Sequence, residues 1–301
     1  MAYAQRSKPV TISLATIAAL LGALTLIVVP AERARALEVD ASVGAGNIGF
    51  FFDRQSEDSD LGGGTFLPDG HLTLSETVLD GFIISGTFEH DRILSNTFAL
   101  TFGYEGQTIE VAAGPFLGFF VDFDNPEVVK PGVTTKLRTE LWEAGFVSLR
   151  SDITLDPELS TKTDDFRQFR LDARAGFYLP NIITSFEYER ASLFTTDGDR
   201  RSEDRRREYA VQTEVFRKNI PYRILLRFAL RNELREFRDG AKHAFGAGIF
   251  TPGITYRVDS QVRLNASLEN GVYVFGREDL LGEVEPDRYF FRAQLGFTVS
   301  L

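Results

Sequence analysis

From residue 71 onward, apolar and polar side chains change places every second residue. The clearest case is the last stretch, YFFRAQLGFTVSL. There Tyr289, Phe291, Ala293, Leu295, Phe297, Val299 and Leu301 share one face, and Arg292, Gln294, Thr298 and Ser300 fall on the other. Period two over thirteen residues predicts a strand with one greasy and one polar face. The same alternation predicts strands at 71–79, 82–88, 94–104 and 109–123, at 133–141 and 147–153, and at 169–177 and 182–189. The last third adds strands at 209–215, 222–235, 242–257 and 262–272. Residues 37–52 have β character with poor alternation. Pro115, inside an otherwise clean strand, predicts a bulge or a local edge because it removes a ladder donor. No stretch after residue 36 has a helical period.

Strands of about 8–15 residues separated by turn signals are what an up-and-down barrel requires. The expected fold is therefore all-β, an antiparallel up-and-down transmembrane barrel occupying 37–301. Two ambiguous turns, Asp80-Gly81 and Glu143-Ala144-Gly145, set the strand number at fourteen or twelve. Both ends of such a barrel lie on the periplasmic side, which favours an even count. Fourteen gives short turns on one side (80–81, 105–107, 143–145, 179–181, 218–221 and 258–260). It gives longer connections on the other (53–70, 90–92, 124–131, 156–164, 196–207, 238–241 and 277–286), the asymmetry of periplasmic turns and outer loops. Twelve would need strands of about eighteen and twenty-three residues, where 9–11 suffice to cross. Leu226 and Leu264 are expected on the lipid side near the bilayer midplane.

The terminal strand resembles the C-terminal signal of bacterial outer-membrane β-barrel proteins. Members usually end in Phe, and this chain ends in Leu301. The resemblance implies that the barrel assembly machinery of the outer membrane reads this strand. A second, shorter likeness lies in GPFLGFF (114–120), KPG (130–132) and FVSLRSD (146–152). These spans resemble a set of spirochaetal outer-membrane barrel proteins, and they imply a source, a diderm bacterium, with no activity attached.

Residues 1–36 read as a secretory signal peptide. Arg6 and Lys8 are followed by an apolar run over 10–29, then Pro30 and the small-x-small site Ala34-Arg35-Ala36. An uncleaved anchor is the alternative, since about twenty apolar residues can span a bilayer. Cleavage would remove four basic residues and one acidic residue, taking the formal charge from −10 for the whole chain to −13. That balance argues against a nucleic-acid partner. With no Cys in the chain, disulfides, thiolate metal sites and cysteine nucleophiles are all excluded.

Candidate chemistry lies on the polar faces. In a barrel, Arg223, Arg227, Arg231 and Arg235 form a ladder down the lumen wall. Glu208 and Glu214 come from the preceding strand, Arg170 and Arg174 stand across from Glu187 and Glu189, and Arg263 and Arg292 face inward elsewhere. Such a wall either tunes the passage of small solutes or ions or forms a salt-bridge lattice that fills the lumen. No cofactor, metal site or catalytic residue is expected. His71, His90 and His243 lack metal spacing. His90-Asp91 at a rim is the only hint of a hydrolase. The expected function is a porin-like passive channel or a structural surface barrel, with the lipid bilayer as its main partner. The alternatives are a secreted or periplasmic all-β binding protein and, less favoured, an outer-membrane hydrolase.

Overall fold

The computed structural model describes residues 37–47, 66–79, 81–90, 96–119, 129–155, 165–197, 200–236, 242–276 and 289–301. Residues 1–36, read above as a signal peptide, and most of the long connections lie outside them. The described residues contain fourteen strands and no helix. The strands are β1 (Leu37–Asn47), β2 (Phe66–Leu79), β3 (Phe82–His90), β4 (Asn96–Glu105), β5 (Ile109–Phe119), β6 (Val129–Leu141) and β7 (Gly145–Thr154). They continue with β8 (Asp165–Leu179), β9 (Ile182–Asp197), β10 (Arg200–Phe216), β11 (Tyr222–Glu236), β12 (Lys242–Arg257), β13 (Val262–Gly276) and β14 (Tyr289–Ser300).

Each strand pairs antiparallel with its neighbours in sequence, and β14 closes on β1, so a single sheet becomes a barrel without edges. The seam is regular from Glu38↔Ser300 to Gly46↔Arg292, and the Leu301 N–H donates to the Leu37 carbonyl at 2.8 Å. A sandwich, the architecture of a secreted binding protein, is thereby replaced by one closed sheet. At the turn end the connections are two to five residues long, including Asn181 at φ 65° and Gly81 at φ 78°. A Cβ on Gly81 would also stand 2.6 Å from the Tyr104 ring, so the Asp80-Gly81 turn admits little else. Trp142, on the turn joining β6 to β7, is 90% exposed.

Alternation puts apolar side chains outward. Phe98, Phe102, Val111, Leu137, Phe186, Leu226, Phe228, Leu264 and Leu295 all stand exposed on the outer wall. In water such a surface would be untenable, whereas in lipid it is the stable one.

Some segments differ from the sequence expectation. β2 begins at Phe66, five residues inside the expected 53–70 loop, because Phe66 to Gly70 pair with Asn47 to Val43. The 196–207 segment is not a charged loop: β9 runs to Asp197 and β10 starts at Arg200, in register throughout. Pro115 makes no bulge but leaves the local edge that was the other expectation. Its register with β6 is unbroken, and the ladder to β4 skips Leu100 and Thr101 and resumes unshifted. The register shifts lie instead at Thr77/Leu79 and Gly246/Ala247.

Inside, large rings lie flat on glycines of the next strand. Phe116 faces Gly132, Phe146 faces Gly176 and Phe290 faces Gly271. A Cβ on Gly176 would meet Phe146 Cε1 at 2.3 Å. Phe146 is 4% exposed, and the guanidinium of Arg138 sits 4.4 Å from its centroid. The ring therefore has little room to move. Gly176→Ala is expected to destabilise the barrel by about 1–3 kcal/mol, read as a lower temperature for loss of the fast-migrating folded form on unheated gels.

Candidate functional site

The inward positions form a charged lattice rather than a bare wall. On β9–β11, Glu208 is the hub. Its carboxylate accepts from Arg227 Nη2 at 2.5 Å and Arg231 Nε at 2.6 Å, with only 4% of its side chain exposed. Arg227 also donates to Glu187 at 2.8 Å, and Arg231 reaches Glu269 at 3.2 Å. Arg292 continues the chain, 2.8 Å from Asp69 and 3.6 Å from Glu269. Arg174 meets Glu187 at 3.3 Å, and Arg223 donates to Glu214 at 2.7 Å near the turn end.

Most of the sequence-predicted lumen residues thus come together, with corrections. Glu189 does not pair with Arg170 or Arg174. It stands opposite Asp172 and accepts from Arg206 at 2.5 Å. Arg170 lies opposite Ala191 and turns to Asp172 and Glu89. Arg263 is exposed next to Thr298 and Arg257 at the turn end, apart from the lattice. The backbone of Arg235 sits opposite Asp204 and His243, and its side chain lies outside the description.

Among the lattice residues that sequence reasoning missed, Glu89 on β3 reaches farthest. One oxygen accepts from Arg150 Nη2 of β7 at 2.8 Å, and the other accepts from Arg170 of β8. Nearby, Gln168 Nε2 on β8 donates to Thr97 of β4 at 3.3 Å. Fourteen strands about 4.8 Å apart, tilted by about 40°, would enclose a circle roughly 28 Å across. On such a circle β3 and β8 would stand about 25 Å apart, beyond the joint reach of an arginine and a glutamate. The barrel is therefore oval, and Glu89 with its two arginines forms a waist.

Among the described residues, two cavities stand out in the lumen. The larger, about 540 Å³, is bounded chiefly by β9–β14 with β1 and β2; the smaller, about 330 Å³, by β5–β9. Arg170, Glu189 and Arg227 border both. Charged side chains line both, but apolar ones share the wall, Leu225, Ile254 and Phe290 in the larger and Leu137, Leu149 and Ala173 in the smaller. The charged groups offer partners to small ions and polar solutes.

In the larger cavity a second polar chain was not anticipated. Gln294 Nε2 donates to Ser42 Oγ at 2.8 Å, Ser42 Oγ lies 2.8 Å from His71 Nδ1, and His71 Nε2 lies 2.5 Å from Asp40 Oδ1. Thr298 donates to the other Asp40 oxygen at 2.8 Å. With the proton on Nε2, every member has a partner. The trio has the composition of a hydrolytic triad, but Ser42 stands mid-strand, where the neighbouring N–H groups are committed to ladders on both sides. No pair of backbone donors is left to hold an oxyanion. At the rim, His90 Nδ1 lies 2.5 Å from Asn96 Oδ1, and Asp91 falls outside the described residues. No cluster of His, Asp or Glu suited to a metal occurs among the described residues.

No protein-family model matches the chain, and no curated protein does. Solved structures do. A bacterial polysaccharide outer-membrane secretin superposes with a TM-score of 0.53 at 11% identity, covering 90% of this chain and all of its own. The monoaromatic hydrocarbon channel CymD gives 0.50 at 9% identity, with 93% of each chain covered. OmpT, an outer membrane protein of Vibrio cholerae, gives 0.48 at 10% identity, covering 90% of this chain and 99% of that one. At such identities the likeness is one of fold: this chain has the fold of bacterial outer-membrane β-barrels.

Proposed function

We propose that this protein sits in the outer membrane of a diderm bacterium and works as a narrow passive channel for small ions and polar solutes, not as a wide general pore. The observation that carries the reading is the Glu89 waist, where one carboxylate holds Arg150 and Arg170 from the opposite wall. In this reading the bilayer meets the outward apolar face, and the turn end is periplasmic. β14, which closes the seam, is the strand read by the barrel assembly machinery. The Ser42–His71–Asp40 chain is structural, and no reaction is assigned to the protein.

Planar-bilayer recording tests this. The native barrel should give small, resolvable conductance steps, and Glu89→Ala should enlarge them several-fold by releasing Arg150 and Arg170 to their second partners, Asp152 and Asp172. Large steps unaffected by Glu89→Ala would show that the waist does not limit flow. Arg227→Glu should shift selectivity toward cations, because it reverses a charge bordering both cavities.

A second reading, a structural surface barrel with a filled lumen, draws on the buried rings of Phe116, Phe146, Phe166 and Phe290. It expects no conductance from either the native protein or Glu89→Ala.

A further inference from the structure

On β11 the inward guanidinium groups of Arg227 and Arg231 have carboxylate partners, but two outward arginines do not. Arg190 on β9 and Arg207 on β10 stand directly opposite each other on the outer wall, the parity of Tyr188 and Tyr209. Like charges facing each other across a strand pair repel, and among the described residues neither has a carboxylate to relieve it. Arg190 Nε is enclosed and has no hydrogen-bond partner, and its guanidinium lies 5.6 Å from the Phe169 centroid. Arg207 is exposed, and on its other side the register places Asn232, also exposed, so three donors form one row across β9, β10 and β11.

The row has a definite height. One rank toward the turn end stand Tyr188 and Tyr209, their rings 5.1 Å apart, followed by Leu230, which is 65% exposed. Below them the wall is apolar through Phe186, Val211 and Phe228. Aromatic rings with a polar tip mark the level where hydrocarbon gives way to headgroups. The arginines therefore stand at headgroup level on the side of the long connections.

We infer that Arg190 and Arg207, assisted by Asn232, form a clamp for the anionic phosphate of an outer-leaflet lipid, its acyl chains lying against Tyr188, Tyr209 and the apolar rank beneath. A phosphate between two guanidinium groups turns their repulsion into charge-assisted hydrogen bonds, and the exposed rings beneath supply the surface for the chains. The inference rests on the reading that this outward face meets lipid.

Native mass spectrometry of the detergent-purified full barrel tests it, with phosphatidylglycerol as the probe and a glucosyl diacylglycerol of the same chains as the phosphate-free comparison. The native protein should retain one phosphatidylglycerol in preference to the glycolipid. Arg190→Gln/Arg207→Gln should weaken that binding about tenfold or more, and Arg190→Lys/Arg207→Lys should keep part of it. Arg207→Gln alone, at an exposed position, provides a variant whose folding is not at risk. Equal retention by native protein and Gln variants would overturn the clamp. So would equal binding of the glycolipid, or full displacement by equimolar inorganic phosphate, which would make the site one for a soluble anion. The premise is checked separately: if the native barrel fails to insert into vesicles, the membrane reading fails rather than the clamp.

Discussion

Leu226→Arg is expected to cost about 2–4 kcal/mol of barrel stability, because it places a guanidinium on the outward face near the middle of the hydrocarbon layer. Leu226 is the fifth residue of β11 and points to the same side as Ile224, Phe228 and Leu230, all exposed. The sequence places Leu264 at the same depth, but the structure does not. Leu264 is the third residue of β13 and stands opposite Tyr256, close to the turn end. The penalty for a lipid-facing charge falls to about 0–1 kcal/mol near the interface. Leu264→Arg should therefore be the milder of the two, and urea titration of folded barrel in vesicles should show the gradient. Equal and negligible losses would mean that neither side chain meets lipid.

Glu208→Ala should be at least as damaging, about 3–5 kcal/mol. Its carboxylate is almost fully enclosed and holds Arg227 and Arg231. Removing it leaves two charged groups in a confined lumen with fewer partners. Arg231 retains Glu269 and Arg227 retains Glu187, which places the loss toward the lower end of that range. Because the cost arises from stranded cations, adding Arg227→Met to Glu208→Ala should recover part of it. A double variant as unstable as the sum of both singles would show that the residues are not coupled.

The strand number was legible because lipid imposes period two on every segment that crosses it. Asp80-Gly81 and the 143–145 signal then separated fourteen strands from twelve. The partners of the inward charges were less legible. Alternation tells which face a side chain occupies but not how far away the opposite wall stands. Glu89 meets residues 61 and 81 positions later in the chain, and only the oval cross-section makes that possible. The upper β9–β10 hairpin was misread for a related reason. Above the lipid a strand need not alternate in hydrophobicity, so Thr196 to Arg207 resembled a solvated loop. The tight-turn dipeptide Asp197-Gly198 was the available signal. Ion pairs between residues two apart, such as Arg205 Nη2 donating to Glu203 at 2.6 Å, keep the charges compatible with strand structure. Arg150 and Asp152, both in the FVSLRSD stretch, likewise showed no sign of being lattice members until β3 was brought beside them.

Because the chain has no native Cys, single cysteines can be placed one at a time along 222–231 in the folded barrel in vesicles. Labelling each with a water-soluble maleimide and a lipid-soluble one reads the environment of every position. Ile224, Leu226, Phe228 and Leu230 replaced by Cys should react only with the lipid-soluble reagent, and the intervening positions should not. Water-soluble labelling of those four positions, or no two-residue alternation, would contradict a barrel whose apolar wall faces hydrocarbon.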